Sequence, residues 1–137
     1  MSDRTSRRSL HVVHTLSGTP LVTVEQDIWS PPTDVYETEK EIIVKVDIAG
    51  VEENDMEVTV ENGLLIVRGF RSDCSAFSKS AVHRMEIFCG AFETHAHLPH
   101  AVDTDGEIDC IYHNGMLTVT LRKESAHKVQ ITTEREK

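Results

Sequence analysis

Two Asn-Gly pairs, each set between runs of alternating apolar and polar residues, constrain this chain more than any other feature. Met56, Val58 and Val60 alternate with Glu57, Thr59 and Glu61; Asn62-Gly63 follows, and Leu64 to Phe70 runs back. Later Ile108, Cys110 and Tyr112 lead to Asn114-Gly115, after which Leu117, Val119 and Leu121 return. A period of two puts every second side chain on one face of a strand. Asn and Gly both tolerate the positive φ that a two-residue type I′ hairpin turn requires. Ile42, Val44, Val46 and Ile48 add another strand with one buried face. No helical stripe competes, so the pattern predicts an all-β antiparallel sandwich.

The 137 residues suit one domain with short tails. We divide them into an N-terminal arm (1–30), a β-sandwich (31–123) and a C-terminal extension (124–137). In the arm, Leu10, Val12, Val13 and Leu16 belong to an apolar set with no clean period, and Gly18 and Pro20 interrupt any long helix. Ser72 to Ala81 is serine-rich and reads as a loop. Val82 to Leu98 resumes β-like sequence, with Gly90 as a bulge or bend, and Pro99 ends it. Trp29 is expected to anchor packing where the chain enters the sandwich. The extension is charged except for Val129-Gln130-Ile131.

The net charge is −9, and its excess lies between Pro31 and Arg122 because both tails balance. An acidic domain repels phosphate backbones, so nucleic acid is a poor partner. No apolar run approaches the roughly 20 residues that span a bilayer, and the start Met1-Ser2-Asp3-Arg4 is polar. A cytoplasmic protein with no membrane partner is expected. The three cysteines are widely spaced, without CxxC, and suit free thiols in a reducing compartment. Cys89 and Cys110 have apolar neighbours and are read as core; Cys74, in the loop, is either inert or an oxidant sensor.

Catalytic constellations are missing. There is no phosphate-binding GxxxxGK[ST] and no GxSxG nucleophile turn. His95 and His97 share a strand face near His100, but an i, i+2 pair supplies only two metal donors, so surface histidines are the simpler account. Asp103-Thr104-Asp105-Gly106 resembles part of a calcium loop but lacks the remaining ligands. No cofactor, metal or enzymatic activity is expected.

Several segments in order resemble the bacterial and plant small heat shock proteins, the Hsp20/α-crystallin-domain family. Trp29-Ser30-Pro31-Pro32-Thr33-Asp34-Val35-Tyr36-Glu37 is similar to the opening of that domain. Val46-Asp47-Ile48-Ala49-Gly50-Val51 resembles its turn, with Ala49 where proline is usual. Leu64 to Gly69 fits the next strand; His83-Arg84-Met85-Glu86, Gly90-Ala91-Phe92 and Leu98-Pro99 fit the middle. Asn114-Gly115-Met116-Leu117-Thr118-Val119-Thr120-Leu121 is similar to the closing signature, with Cys110 where alanine is usual. The resemblance covers about residues 29–123. Thr94 stands where arginine is common, Arg122 where proline is frequent, and the tail reads Val-x-Ile rather than Ile-x-Ile.

The resemblance implies an immunoglobulin-like α-crystallin-type sandwich and an ATP-independent holdase that binds partly unfolded clients and prevents their aggregation. It implies a homodimer or larger homo-oligomer. Val129 and Ile131 would be knobs of an oligomer tail, by β-strand addition to a neighbour; taken without the resemblance, they form a final strand of their own domain. The receiving groove would lie between about residues 55–61 and 107–112, with Met56, Val58, Val60, Ile108 and Cys110 as lining. The loop from Arg71 to Val82 would exchange with a partner's strand near Asp34 to Thr38, with Asp34, Val35, Tyr36 and Phe77 as dimer contacts. Leu10, Val12, Val13 and Leu16 would serve client binding or oligomer packing. A second reading makes the sandwich a non-enzymatic adaptor for one folded partner.

Overall fold

The computed structural model describes residues 8–14, 22–72, 75, 77–106, 108–126 and 129–135. Nine strands run in the order β1 (Arg8–His14), β2 (Val22–Ile28), β3 (Thr33–Glu37), β4 (Glu41–Asp47), β5 (Met56–Glu61), β6 (Leu64–Arg71), β7 (Gly90–His97), β8 (Asp109–His113) and β9 (Met116–Arg122). A 3-10 turn, Glu53–Asp55, precedes β5. Among the described residues the strands make a four-stranded sheet, β3-β4-β9-β8, a three-stranded sheet, β5-β6-β7, and a two-stranded β1-β2 ribbon. Every strand pair is antiparallel.

Both Asn-Gly turns form as their chemistry demands. Asn62 and Gly63 have φ of 50° and 72°, and Asn114 and Gly115 have φ of 51° and 76°. The period-two pattern then sorts faces. Ile42, Val44, Val46, Leu117, Val119 and Leu121 turn inward from one sheet; Leu65, Val67, Phe92 and Ala96 turn inward from the other. Removing this apolar surface from water is the main force holding the sheets together. No buried side-chain polar atom among the described residues lacks a hydrogen-bond partner.

Trp29 joins this core as expected, 5% exposed. Its ring stacks on Phe88 at 6.0 Å and tilts against Phe92 at 5.4 Å. The Arg71 guanidinium lies 4.2 Å above the ring and donates to the carbonyls of Phe88 and Ala49. Trp29 also pairs with Phe92 through a parallel bridge, so the chain leaving β2 borders β7.

Three expectations change. The β-like stretch from Val82 becomes a strand only at Gly90, because Val82, Met85 and Ile87 stand exposed with no neighbouring strand among the described residues. The arm contains a β-ribbon where no period was legible. Cys110 is exposed and Cys89 half-buried, so neither joins the core.

Candidate functional site

The stacking of the two sheets determines where an open groove lies. Thr33 at the start of β3 bonds to Thr94 of β7 across 2.7 Å, so these strands lie over one another. Strands β3 and β8 are opposite edges of one sheet; β7 and β5 are opposite edges of the other. With the sheets stacked face to face, β8 therefore lies over β5. Neither has a second strand neighbour among the described residues.

The residues facing this seam follow from register. Val58 and Val60 pair with the core residues Val67 and Leu65, and Met56 with Gly69, so all three point inward. Cys110 and Tyr112 pair with the core residues Val119 and Leu117 and point inward too. Met56, Val58, Val60, Ile108 and Tyr112 are half-buried and pack on the edge of the core. Cys110, on the same face, is exposed. Partial burial of inward-facing apolar side chains at two unpaired edges leaves a floor on which an extended segment could be laid. Partial desolvation against the edge of the core, and secondarily Asp109, raise the Cys110 thiol pKa above its ordinary value. The thiol is therefore kept neutral.

Tyr112 was missing from the sequence-derived lining, although it continues the period from Ile108 and Cys110. Its hydroxyl donates to the Ile48 carbonyl at 3.0 Å, fixing the ring beside the β4–β5 turn.

Val129 and Ile131 lie outside any strand and are 83% and 87% exposed. They do not form a final strand of their own domain. At the opposite edge, β3 exposes Val35 and Tyr36, and Tyr36 donates to Asp34 at 2.9 Å. Phe77 is exposed in the loop after β6, near the Lys79 ammonium. A cavity of about 560 Å³ has Phe77, Val82, Met85 and Ile87 in its lining. Leu10, Val12 and Val13 fall in β1, and Leu16 and Cys74 lie outside the described residues.

The histidine cluster does not assemble a metal site. His95 pairs with Glu93, and no group of three or more potential ligands converges among the described residues. No helix of the described residues is long and apolar enough to cross a membrane.

Residues 34–136 match the Hsp20/alpha crystallin family. The chain belongs to that family. Among relatives, it is 31% identical over 109 residues to a probable 15 kDa heat shock protein of Leptospira interrogans, covering 78% of this chain and 82% of that protein. It is 26% identical over 100 residues to small heat shock protein C2 of Rickettsia felis, covering 73% of this chain and 64% of that one. The chain thus spans less than two-thirds of the Rickettsia relative. A small heat-shock protein of Xylella fastidiosa superposes with a TM-score of 0.66 at 26% identity, covering 79% of this chain and 98% of that structure. The family's α-crystallin-type sandwich is therefore the fold of this chain.

Proposed function

We propose that the protein is an ATP-independent holdase that covers exposed apolar segments of partly unfolded clients and assembles through its own tail. One observation carries the reading: an apolar seam open at two strand edges occurs in the same chain as a tail whose Val129 and Ile131 are almost fully exposed. Side chains two apart on an extended segment point the same way. They can enter the seam of a second copy as paired knobs while the tail backbone bonds to an edge strand.

The magnitudes favour a reversible contact. Burying one Val and one Ile stabilises by roughly 1.5–3 kcal/mol each, against about 4–15 kcal/mol for association. A single tail binds weakly, so assembly needs several contacts at once. Such an assembly exchanges subunits and exposes the seam for clients.

A strand-exchanged dimer fits the same reading. The β3 edge offers Asp34, Val35 and Tyr36, and the loop after β6 leaves Phe77, Val82, Met85 and Ile87 uncovered within one chain. Exchange between two copies would bury both sets. The free thiols of Cys89 and Cys110 suit a reducing, cytoplasmic setting. The roles proposed for Leu10, Val12, Val13 and Leu16 in client binding belong to this reading as well.

The test is light scattering from several unrelated proteins heated with and without the full chain, in the absence of ATP. Suppression of aggregation across all of them is expected. No suppression of any would contradict the holdase reading, and a single stoichiometric partner in a pull-down would then favour an adaptor.

A further inference from the structure

We infer that the seam recognises its tail by charge as well as by shape, and that Lys128 is the residue its rim reads. The inference rests on the tail-docking reading above and adds a specificity determinant to it.

The rim follows from the same register as the floor. With Met56, Val58 and Val60 turned inward, Glu57, Thr59 and Glu61 turn outward along the β5 edge, and all three are exposed. Asp109 does the same on the β8 edge. No ion pair holds Glu57, Glu61 or Asp109 among the described residues. Arg68 lies opposite Glu57 in register, but its guanidinium is 3.9 Å from the Glu93 carboxylate. Across the sheet from Asp109 stands Thr120, which brings no charge. Three carboxylates with no ion pair among the described residues therefore border an apolar floor.

The tail carries the complement. Lys128 directly precedes Val129, and residues 126–133 contain no acidic side chain. In an extended segment, when Val129 and Ile131 point into the seam, Lys128 and Gln130 point to its rim. Lys128 then meets carboxylates beside an apolar surface that displaces water, where charges attract more strongly than in bulk solvent. The same rim repels an apolar pair flanked by acidic residues, so it excludes as well as attracts. The occupant is the segment 126–133 of a second copy of this chain.

The full chain is compared with three variants: Lys128→Glu, Lys128→Glu combined with Glu57→Lys and Glu61→Lys, and Val129→Ala with Ile131→Ala. The readout is the concentration at which assemblies larger than a dimer form, from light scattering. Reversing the charge at Lys128 should raise that concentration about fivefold at low salt, the scale of a few surface ion pairs. The difference should vanish near about 1 M salt, where screening acts within roughly 3 Å. Reversing the rim as well should restore assembly. Asp109→Lys replaces the rim pair if circular dichroism shows that the double reversal unfolds.

Assembly of Lys128→Glu at the wild-type concentration, while the Val129/Ile131 variant fails to assemble, would overturn the charge inference and leave tail docking intact. Unchanged assembly of the Val129/Ile131 variant would remove tail docking and the inference with it.

Discussion

The Thr94 hydroxyl donates to Thr33 Oγ1 across 2.7 Å, and Thr33 in turn donates to the Pro31 carbonyl at 3.0 Å. Thr33 has one hydroxyl proton, and its bond to Pro31 makes Thr94 the donor across the gap. This two-bond relay fastens β3 to β7 and holds the side of the sandwich away from the seam closed.

Thr94 is 5% exposed, so its hydroxyl has no water to turn to. Thr94→Val keeps the shape and removes the donor; it should destabilise the fold by about 1 kcal/mol in urea unfolding. Thr94→Arg, which inserts the family's common residue, should destabilise by more than about 2 kcal/mol, because this site encloses a short side chain. Equal stability of Thr94→Arg and wild type would contradict the role given to the pair.

Gly115 is required by conformation and by space. Its φ is +76°, and a Cβ there would lie 2.8 Å from the Ala49 Cβ. Its carbonyl also accepts from the Ile48 amide at 2.9 Å, locking the β8–β9 turn onto the end of β4. Gly115→Ala should lower stability by roughly 1–3 kcal/mol. Thermal unfolding checks this, and an unchanged midpoint would show that the turn is not held against Ala49.

Glu37 and Lys123 make an ion pair of 2.6 Å between the end of β3 and the end of β9. The hydrogen bond and the charge of Lys123 hold the Glu37 pKa below the usual carboxylate range. A depressed folded-state pKa stabilises the fold above the unfolded value, and that contribution is lost as pH falls through the lowered one. Lys123→Met should therefore move acid unfolding to higher pH while changing stability little at high salt. An unchanged acid midpoint would contradict the linkage.

Much of the sandwich was legible because its strands have one wet face. The alternation Ile42, Val44, Val46 and the Asn-Gly turns specify strand, register and turn type together, and the structure follows them closely. The stretch 82–89 was misleading for a physical reason. Val82, Met85 and Ile87 have β-like composition, but a strand needs a neighbour to bond to, and none stands beside them among the described residues. The β1–β2 ribbon was missed because its apolar residues do not keep one period, and the segment containing Gly18 and Pro20 spoke only against helix.

The candidate site was legible in part. Met56, Val58, Val60 and Ile108 could be chosen from period two and the resemblance, whereas Tyr112 hid behind its polar hydroxyl, which the Ile48 carbonyl satisfies. Composition misjudged Cys110: its apolar neighbours suggested core, but an edge strand leaves its inward face open on one side. Charge on the rim required knowing which residues of β5 and β8 face outward.

Cys110 offers the most direct test of the central claim, that the seam receives the tail. In a Cys74→Ser, Cys89→Ser variant it is the single thiol, on the floor where Val129 and Ile131 would dock. Its alkylation rate should be measured under assembling conditions, for the full chain and for a chain ending at Ser125. The full chain should react several-fold more slowly, because docked tails would cover the thiol. Equal rates in the two chains, with assemblies present in the first, would contradict it.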